Sequence, residues 1–149
     1  MRIENIKLNN FRIYNGENEI TFNNKKGKNV SLIAGKNGFG KTTFLTSLIW
    51  GLYGNLMVQV EEKYKKDVRN VGGYNQYLST LLNKSVLNEF ESGNQDTAKF
   101  EVEIQLVDVM IPSIPCKKVV IRRAYDFKKK KETLRILIDG QENELTKEV

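Results

Sequence analysis

The feature that most constrains this chain is the run Gly35-Lys36-Asn37-Gly38-Phe39-Gly40-Lys41-Thr42, which has the pattern G-x-x-x-x-G-K-[ST]. It directly follows the apolar run Val30-Ser31-Leu32-Ile33-Ala34, which predicts a buried strand. Beyond the loop, apolar residues recur at the spacing of an amphipathic helix. They are Phe44, Leu45, Leu48, Ile49, Leu52 and Tyr53. Strand, glycine-rich loop and helix in this order predict a loop whose backbone N–H groups wrap phosphate.

The loop predicts ATP and Mg²⁺ as ligands. Lys41 would supply a cation to the β- and γ-phosphates, and the hydroxyl of Thr42 would hold the Mg²⁺ ion. The N-terminal end of the following helix would place its partial positive charge at the same anion site. A glycine-rich turn that binds nothing is the alternative interpretation.

The composition is that of a single soluble domain with a basic balance. At 149 residues the chain can bury roughly two-thirds of its unfolded surface in one core. Its 24 Lys and Arg against 18 Asp and Glu favour a polyanion partner, but they also fit a domain with many surface lysines. The absence of histidine excludes His-based triads and His-ligated metal sites, and the single Cys116 excludes a disulfide framework. Because no apolar leader or membrane-length span occurs, we expect a cytoplasmic protein without membrane contact.

The sequence predicts a single lobe in three parts. The first part is residues 1–57. Residues 2–9 and 18–23 alternate between apolar and polar and predict a β-hairpin. The segment Asn15-Gly16-Glu17-Asn18 between them predicts the turn. The hairpin, the strand before the loop, and the loop with its helix make up this part.

The second and third parts are residues 58–96, with a polar helical pattern broken at Gly72-Gly73, and residues 97–149, with a period of two. The third part predicts an antiparallel β-subdomain. Its strands are expected at Phe100–Leu106, Val119–Tyr125 and Leu134–Ile138, with a return strand through Glu142 and Leu145. The three parts together predict an α/β fold.

Two further patterns have more than one interpretation. Ile136-Leu137-Ile138-Asp139 has the form of a Walker B strand ending in an acid, but Asp139-Gly140 is a type I′ hairpin signal, and the turn is favoured. The run Lys128-Lys129-Lys130-Lys131 could grip a DNA backbone. Such a run is more often a solvated hairpin tip that also prevents edge pairing. Lys128, Lys129, Lys130 and Lys131 are therefore candidate DNA contacts with a purely structural alternative.

Several parts of a complete phosphate-transferring enzyme are missing from the sequence. The D-x-x-G and N-K-x-D motifs of GTPases do not occur, and the arginines after the loop are too few for the lid of a small nucleotide kinase. No carboxylate is evidently placed to activate water, which hydrolysis requires in addition to the loop. We therefore expect no catalytic residue within this chain, which has the character of half an active site.

Four segments carry a resemblance to a known family: Ile6–Arg12, Ile20–Phe22, Asn29–Thr43 and Leu48–Gly54. They resemble the opening of SMC-type ABC ATPase heads, a family that includes the ATPase of the double-strand-break repair complex. The strand Val120-Ile121-Arg122-Arg123 is similar to the small β-subdomain of that family.

The resemblance covers residues 1–57 and 97–139, and residues 58–96 look like an insertion. Within the family, Leu52–Met57 and the later β pattern are most similar to the DNA phosphorothioation ATPase DndD and related phage-defence ATPases. Phe39 departs from the family, which usually carries a small residue there.

The resemblance implies an N-terminal lobe of a P-loop NTPase head, with a coiled coil and a C-terminal lobe absent from this chain. The C-terminal lobe would supply the signature motif, the Walker B acid and the catalytic glutamate. Two heads would close on two ATP molecules as an ATP-dependent homodimer and remodel a DNA-binding surface. The resemblance places the backbone N–H groups from Asn37 to Thr43 at the phosphates of the nucleotide, with Thr43 at the α-phosphate side. It also places the basic side chain of Arg12 beside the nucleotide. The candidate nucleotide-binding residues are therefore Asn37, Gly38, Phe39, Gly40, Lys41, Thr42, Thr43 and Arg12.

Three functions remain open from the sequence. The leading one is the ATP-binding half of an SMC-like ATPase that couples ATP binding and hydrolysis to DNA binding, in DNA modification, phage defence or repair. Its partners would be DNA, the C-terminal lobe, a second head and other DNA-modification or defence proteins. The alternatives are a stand-alone P-loop small-molecule kinase and a non-catalytic nucleic-acid-binding module.

Overall fold

The computed structural model of the chain describes residues 1–22, 27–28, 30–38, 40–112, 116–143 and 147–148. Its centre is an antiparallel sheet. The strands are β1 (Arg2–Phe11), β2 (Tyr14–Thr21), β3 (Lys99–Val107), β4 (Lys118–Asp126), β5 (Lys131–Ile138), β6 (Gln141–Glu142) and β7 (Lys147–Glu148). They run in the order β2-β1-β3-β4-β5, and both β6 and β7 pair with β5. The fold is therefore mixed α/β with an antiparallel sheet.

All the helices in the described residues come between β2 and β3 in the chain. They are α1 (Lys41–Tyr53), a 3-10 helix (Gly54–Gln59), α2 (Glu62–Asn70), α3 (Tyr74–Leu81) and α4 (Lys84–Glu91). The predicted break at Gly72-Gly73 is confirmed, since both glycines have positive φ, 99° and 130°, between α2 and α3. We call residues 62–91, which span α2 to α4, the helical segment.

The period of two predicted for β3 is confirmed. The side chains of Phe100, Val102, Ile104 and Leu106 are all buried, and the first three lie against Trp50 and Gly51 of α1. The β4–β5 hairpin is confirmed with residues 127–130 at its tip. The Asp139-Gly140 turn is confirmed as well, because Ile138 pairs with Gln141 across it and its two residues have φ of 48° and 85°. The predicted continuation of this return strand at Leu145 lies outside the described residues.

The predicted β1–β2 hairpin is confirmed, but the predicted turn is wrong. The strands turn at Arg12-Ile13, because Phe11 pairs with Tyr14, and residues 15–18 lie within β2. The turn is held by one local and one distant contact, neither of which a strand pattern shows. Asn10 has φ of 54°, and its Oδ1 accepts the N–H of Gly16 at 2.8 Å. The N–H of Arg12 donates to the carbonyl of Leu81, about 70 residues later in the chain, at 2.7 Å.

The strand predicted at residues 30–34 is not formed. Residues 30–36 have no regular secondary structure, and the side chains of Val30 and Leu32 are 89% and 92% exposed. A continuous apolar run is typical of a strand that is buried on both faces between neighbours. No strand in the described part of the chain pairs with it. The predicted strand-loop-helix unit is present only in its loop and helix.

The prediction of which apolar residues of α1 are buried is partly wrong. The helix buries Phe44, Thr46, Ser47, Trp50 and Gly51. Leu45, Leu52 and Tyr53, which the stripe placed inside, are exposed. The helix is apolar over much of its circumference, so the spacing did not distinguish the face on the sheet from the opposite face.

Helix α1 lies very close to the sheet at Gly51. A Cβ atom at this position would lie 2.9 Å from Cγ1 of Val102 and 3.0 Å from Cδ1 of Ile104, so only glycine fits. The neighbouring Trp50 fills the space beside it, with its ring centroid 5.0 Å from that of Phe100. This contact fixes the distance between β3 and the helix that begins at the glycine-rich loop.

A buried polar network fastens the other end of α1. Arg123 on β4 donates from Nε to the carbonyl of Gly51 at 3.2 Å and from Nη1 to Glu132 on β5 at 2.8 Å. Glu132 also accepts the hydroxyl of Tyr74 on α3 at 2.9 Å, and that hydroxyl accepts the indole N–H of Trp50 at 3.0 Å. Burial, reinforced by the Glu132 carboxylate, raises the pKa of Tyr74, so this tyrosine stays protonated and donates.

Candidate functional site

The glycine-rich loop leads directly into α1, whose first turn forms one wall of an open cleft. Gly40 precedes the helix with φ of 94°, and the N–H of Phe44 donates to its carbonyl at 2.8 Å. The first N–H groups of a helix have no partner within it and point toward its N-terminal end. The cleft, of about 430 Å³ including space open to solvent, is lined by Ile13, Asn37, Gly38, Gly40, Lys41, Thr42 and Thr43.

Six of the eight predicted nucleotide-binding residues therefore line one cleft. Lys41 is exposed there, and its ammonium group donates to the carbonyl of Gly35 within the same loop. Thr42 is exposed and Thr43 is half-buried in the first turn of the helix. A cation and two hydroxyl groups at a helix N-terminus are a chemically suitable set for a phosphate chain. Phe39 lies outside the described residues.

The β1–β2 turn supplies a wall of the cleft that the sequence did not indicate. The side chain of Ile13 is 57% exposed and lines the cleft. The hydroxyl of Tyr14 donates to the carbonyl of Gly40 at 3.3 Å, and burial raises the pKa of this tyrosine. A Cβ atom on Gly40 would lie 2.7 Å from Cδ1 of Ile13 and 2.9 Å from the Tyr14 hydroxyl. Position 40 therefore requires glycine for its φ, and any larger residue there would also have to displace the side chains of Ile13 and Tyr14.

Arg12, the eighth predicted residue, does not line the cleft. Its Nη2 donates to the hydroxyl of Tyr77 on α3 at 3.5 Å, and its guanidinium carbon lies 6.0 Å from the centroid of the Tyr77 ring. Burial raises the pKa of Tyr77 more than the neighbouring Arg12 lowers it. The structure therefore places Arg12 against the helical segment, and its neighbour Ile13 in the cleft.

The magnesium ion implied by the loop would have one protein ligand in the described residues, the hydroxyl of Thr42. Mg²⁺ bound with a nucleotide usually takes one or two protein carboxylates in addition to phosphate oxygens. No cluster of three or more acidic or cysteine side chains that could hold a metal occurs in the described ranges. The residues present fit part of a magnesium site.

Asp139, the acid of the Walker B-like pattern, is occupied elsewhere. Its Oδ1 accepts the backbone N–H groups of Lys117 and Lys118, each at 2.9 Å. These two hydrogen bonds lower the pKa of the carboxyl group, the one from Lys117 most. Asp139 does not line the cleft, and its carboxylate joins the turn between β5 and β6 to the start of β4.

The four candidate DNA-contacting lysines lie at the β4–β5 hairpin tip. Lys128, Lys129 and Lys130 are exposed, and Lys131 begins β5 half-buried. The tip is held by the N–H of Lys129, which donates to Asp126 at 3.0 Å, and by Phe127, whose ring packs edge-on against Phe90 of α4 at 5.7 Å. The structure brings the lysines together, but not into the cleft.

Comparisons with known proteins bear on this arrangement. A protein-family model described as AAA domain matches residues 5–148. The DNA double-strand break repair Rad50 ATPase of Pyrococcus abyssi is 34% identical over 73 residues, which are 49% of this chain. The chain spans 8% of the length of that relative. None of the helices in the described residues is long and apolar enough to cross a membrane. Because the family match covers nearly the whole chain and the relative is similar over the segment it shares, this protein belongs to the AAA domain family and is similar to Rad50-type ATPase heads.

Proposed function

We propose that this chain is the ATP-binding half of an SMC-like ATPase head. The observation that carries the proposal is the cleft at the start of α1, where Lys41, Thr42 and Thr43 meet Gly38 and Gly40 in a chain of the AAA domain family. The arrangement offers helix N–H groups, a cation and two hydroxyl groups to one anion. In the full protein, ATP binding and hydrolysis would be coupled to DNA binding.

Each loop residue has a defined task in this proposal. The backbone N–H groups from Asn37 to Thr43 would hold the phosphates. Lys41 would exchange the Gly35 carbonyl, its present acceptor, for oxygens of the β- and γ-phosphates. Thr42 would hold Mg²⁺, which when bound neutralises charge on the phosphates, and Thr43 would contact the α-phosphate side.

The C-terminal lobe of the same protein is the proposed partner of the apolar surface beside the loop. Val30 and Leu32 are almost fully exposed, and Leu45, Tyr53 and Leu56 are 49%, 46% and 53% exposed. Large apolar side chains left exposed before the loop, along α1 and in the 3-10 helix support an interaction site there. The matched relative is far longer than this chain, which leaves room for such a lobe. A strand of that lobe beside residues 30–34 would supply the neighbour that the run requires.

We expect the chain alone to hydrolyse ATP well below about 1 s⁻¹, the lower end of common enzyme turnover numbers. No carboxylate lines the cleft in the described residues, so none orients the attacking water. Adding the separately expressed C-terminal lobe should raise the rate of phosphate release by orders of magnitude. A mixture that contains the Lys41→Ala variant is the control and should stay inactive. ATP turnover at about 1 s⁻¹ or faster by the chain alone would contradict the proposal that it carries only half of the catalytic site.

DNA is the proposed partner of the hairpin tip, through charge and not through base recognition. We expect the triple substitution of Lys128, Lys129 and Lys130 by Gln to make the dependence of log affinity on log salt shallower by about 0.9 for each lost phosphate contact. Gln replacement of Lys63, Lys65 and Lys66, three exposed lysines of α2, is the charge-matched control. Duplex binding measured across a salt series decides between them. If the slope of log affinity against log salt is equal for the two triple variants, the hairpin tip is a solvated turn that does not contact DNA.

We propose that the ATPase acts in DNA repair, DNA modification or phage defence. The similarity to a protein named as a double-strand break repair ATPase supports DNA repair. The segment Leu52–Met57 carries the resemblance to the DNA phosphorothioation ATPase DndD and to phage-defence ATPases, which supports DNA modification or defence. Both are DNA transactions that an ATP-dependent head–head homodimer would serve.

A further inference from the structure

The β1–β2 turn, residues Asn10 to Ile13, is held by the helical segment through its backbone. The N–H of Arg12 donates to the carbonyl of Leu81 at 2.7 Å, and the N–H of Asn83 donates to the carbonyl of Asn10 at 2.8 Å. Phe11 and Leu82 form an isolated antiparallel bridge between these contacts. The connection between α3 and α4 therefore pairs with the last residue of β1, beyond the point where the pairing of β1 with β3 ends at Asn9.

Side chains of the helical segment add to this contact. Nδ2 of Asn83 donates to the carbonyl of Arg12 at 2.6 Å, and the hydroxyl of Tyr77 accepts from the Arg12 guanidinium. Asn83 is only 6% exposed, and its Oδ1 accepts the N–H groups of Ser85 and Val86 at the start of α4. Both ends of the Asn83 amide are thus in use, which fixes its orientation.

The turn adopts a conformation that needs such support. Asn10 and Arg12 have φ of 54° and 47°, in the left-handed region that side chains other than glycine rarely adopt. Backbone of this kind persists where surrounding contacts over-determine it. The contacts from Leu81, Asn83 and Tyr77 hold it here, together with the bond from the N–H of Gly16 to Oδ1 of Asn10.

The far end of the same turn forms the cleft. Ile13 and Tyr14 follow Arg12 directly, and both are in close contact with Gly40, the residue before α1. A shift of the turn by an ångström would therefore move a wall of the cleft or displace Gly40. The helical segment also reaches α1 itself, because the hydroxyl groups of Tyr64 on α2 and Thr46 on α1 lie 3.5 Å apart in the core. The segment contacts the elements on both sides of the phosphate loop.

We propose that the helical segment is a positioning clamp for the nucleotide site, with Asn83 and Tyr77 as positioning residues that act through the β1–β2 turn. The inference rests on the proposed ATP binding at Lys41. Asn83 holds the turn in the conformation that sets Ile13 and Tyr14 against Gly40, so the segment sets the affinity of the cleft for nucleotide without touching it.

The test is the Asn83→Ser variant, titrated with Mg-ATP by calorimetry. Serine keeps the cap of α4, because its hydroxyl accepts the same N–H groups, but it loses the amide donor to Arg12. We expect the Kd for Mg-ATP to rise about three- to tenfold, the range for one lost hydrogen bond. Tyr77→Phe removes only the hydroxyl that Arg12 contacts and should weaken binding in the same direction with less effect.

The control is Val119→Ala, which shortens a buried side chain of β4 outside the helical segment, at the end of the sheet where β1 begins. It should lower the melting temperature without changing the Kd. If Asn83→Ser and Tyr77→Phe both bind Mg-ATP as tightly as the wild-type chain does, the clamp is overturned and the proposed function is not. An equal loss of affinity in Val119→Ala would also overturn the clamp, since general loosening would then explain the result. Absence of ATP binding by the wild-type chain would instead overturn the proposed function.

Discussion

The Glu132→Ala variant is expected to lose about 3–5 kcal/mol of unfolding free energy, because it leaves a buried guanidinium without its partner. The side chains of Arg123 and Glu132 are 7% and 4% exposed, so water cannot replace the lost carboxylate. The hydroxyl of Tyr74 loses its acceptor in the same substitution. Urea unfolding followed by circular dichroism measures the change.

A surface ion pair of the same chain provides the matched control. Arg135 and Glu142 lie 2.7 Å apart, with side chains 46% and 48% exposed. Glu142→Ala should therefore cost no more than about 1 kcal/mol. Combining Glu132→Ala with Arg123→Met should recover part of the loss, because the unpaired charge is gone. A Glu132→Ala variant as stable as Glu142→Ala would show that the buried network does not hold α1 on the sheet.

The network matters for the candidate site because it anchors α1 at the end opposite to the glycine-rich loop. Arg123 and Trp50 fix the C-terminal turn of the helix, and the β1–β2 turn contacts its N-terminal end through Gly40. A helix held at both ends gives its first-turn N–H groups a defined direction. Pre-organised donors of this kind bind an anion without a further ordering cost.

The β-sheet was predictable because its signals are local. The alternation along Phe100–Leu106 assigns each side chain to a face, and each strand from β3 to β5 finds its partner next in the chain. Asp139-Gly140 has the backbone conformation that its residue types favour. In these cases a residue and its immediate neighbours determine the structure.

The features that the sequence pattern did not predict correctly depend on contacts between residues far apart in the chain. Residues 30–34 have the composition of a buried strand, but the neighbours that would bury them are not in the described residues. The apolar stripe of α1 includes Leu45 and Tyr53, which face away from the sheet. The turn at Arg12-Ile13 depends on contacts from Leu81 and Asn83, about 70 residues later in the chain.

The candidate site divides in the same way. The described residues from Asn37 to Thr43 line one cleft, as their place in a motif directly before and at the start of a helix predicts. The contact of Ile13 and Tyr14 with Gly40 was not predictable, since it results from the approach of two separate elements. Asn83 carries no motif, and only its hydrogen bonds to the turn and to α4 show its importance.

The Lys41→Ala variant is expected to lose about ten- to hundredfold in affinity for Mg-ATP, because charge-assisted hydrogen bonds to phosphate contribute about 1.5–3 kcal/mol. Its fold should be unchanged, since the Lys41 side chain is exposed and its hydrogen-bond acceptor is a carbonyl of the loop. Lys36→Ala removes an exposed lysine of the same loop and is the matched control, with affinity close to that of the wild type.

The most direct test of ATP binding at the glycine-rich loop is calorimetric titration with Mg-ATP of the wild-type chain, Lys41→Ala and Lys36→Ala. Circular dichroism confirms that each variant is folded. We expect measurable binding by the wild type and Lys36→Ala, and a severe loss of affinity in Lys41→Ala. Equal affinities for a folded Lys41→Ala variant and the wild type would contradict ATP binding at this loop.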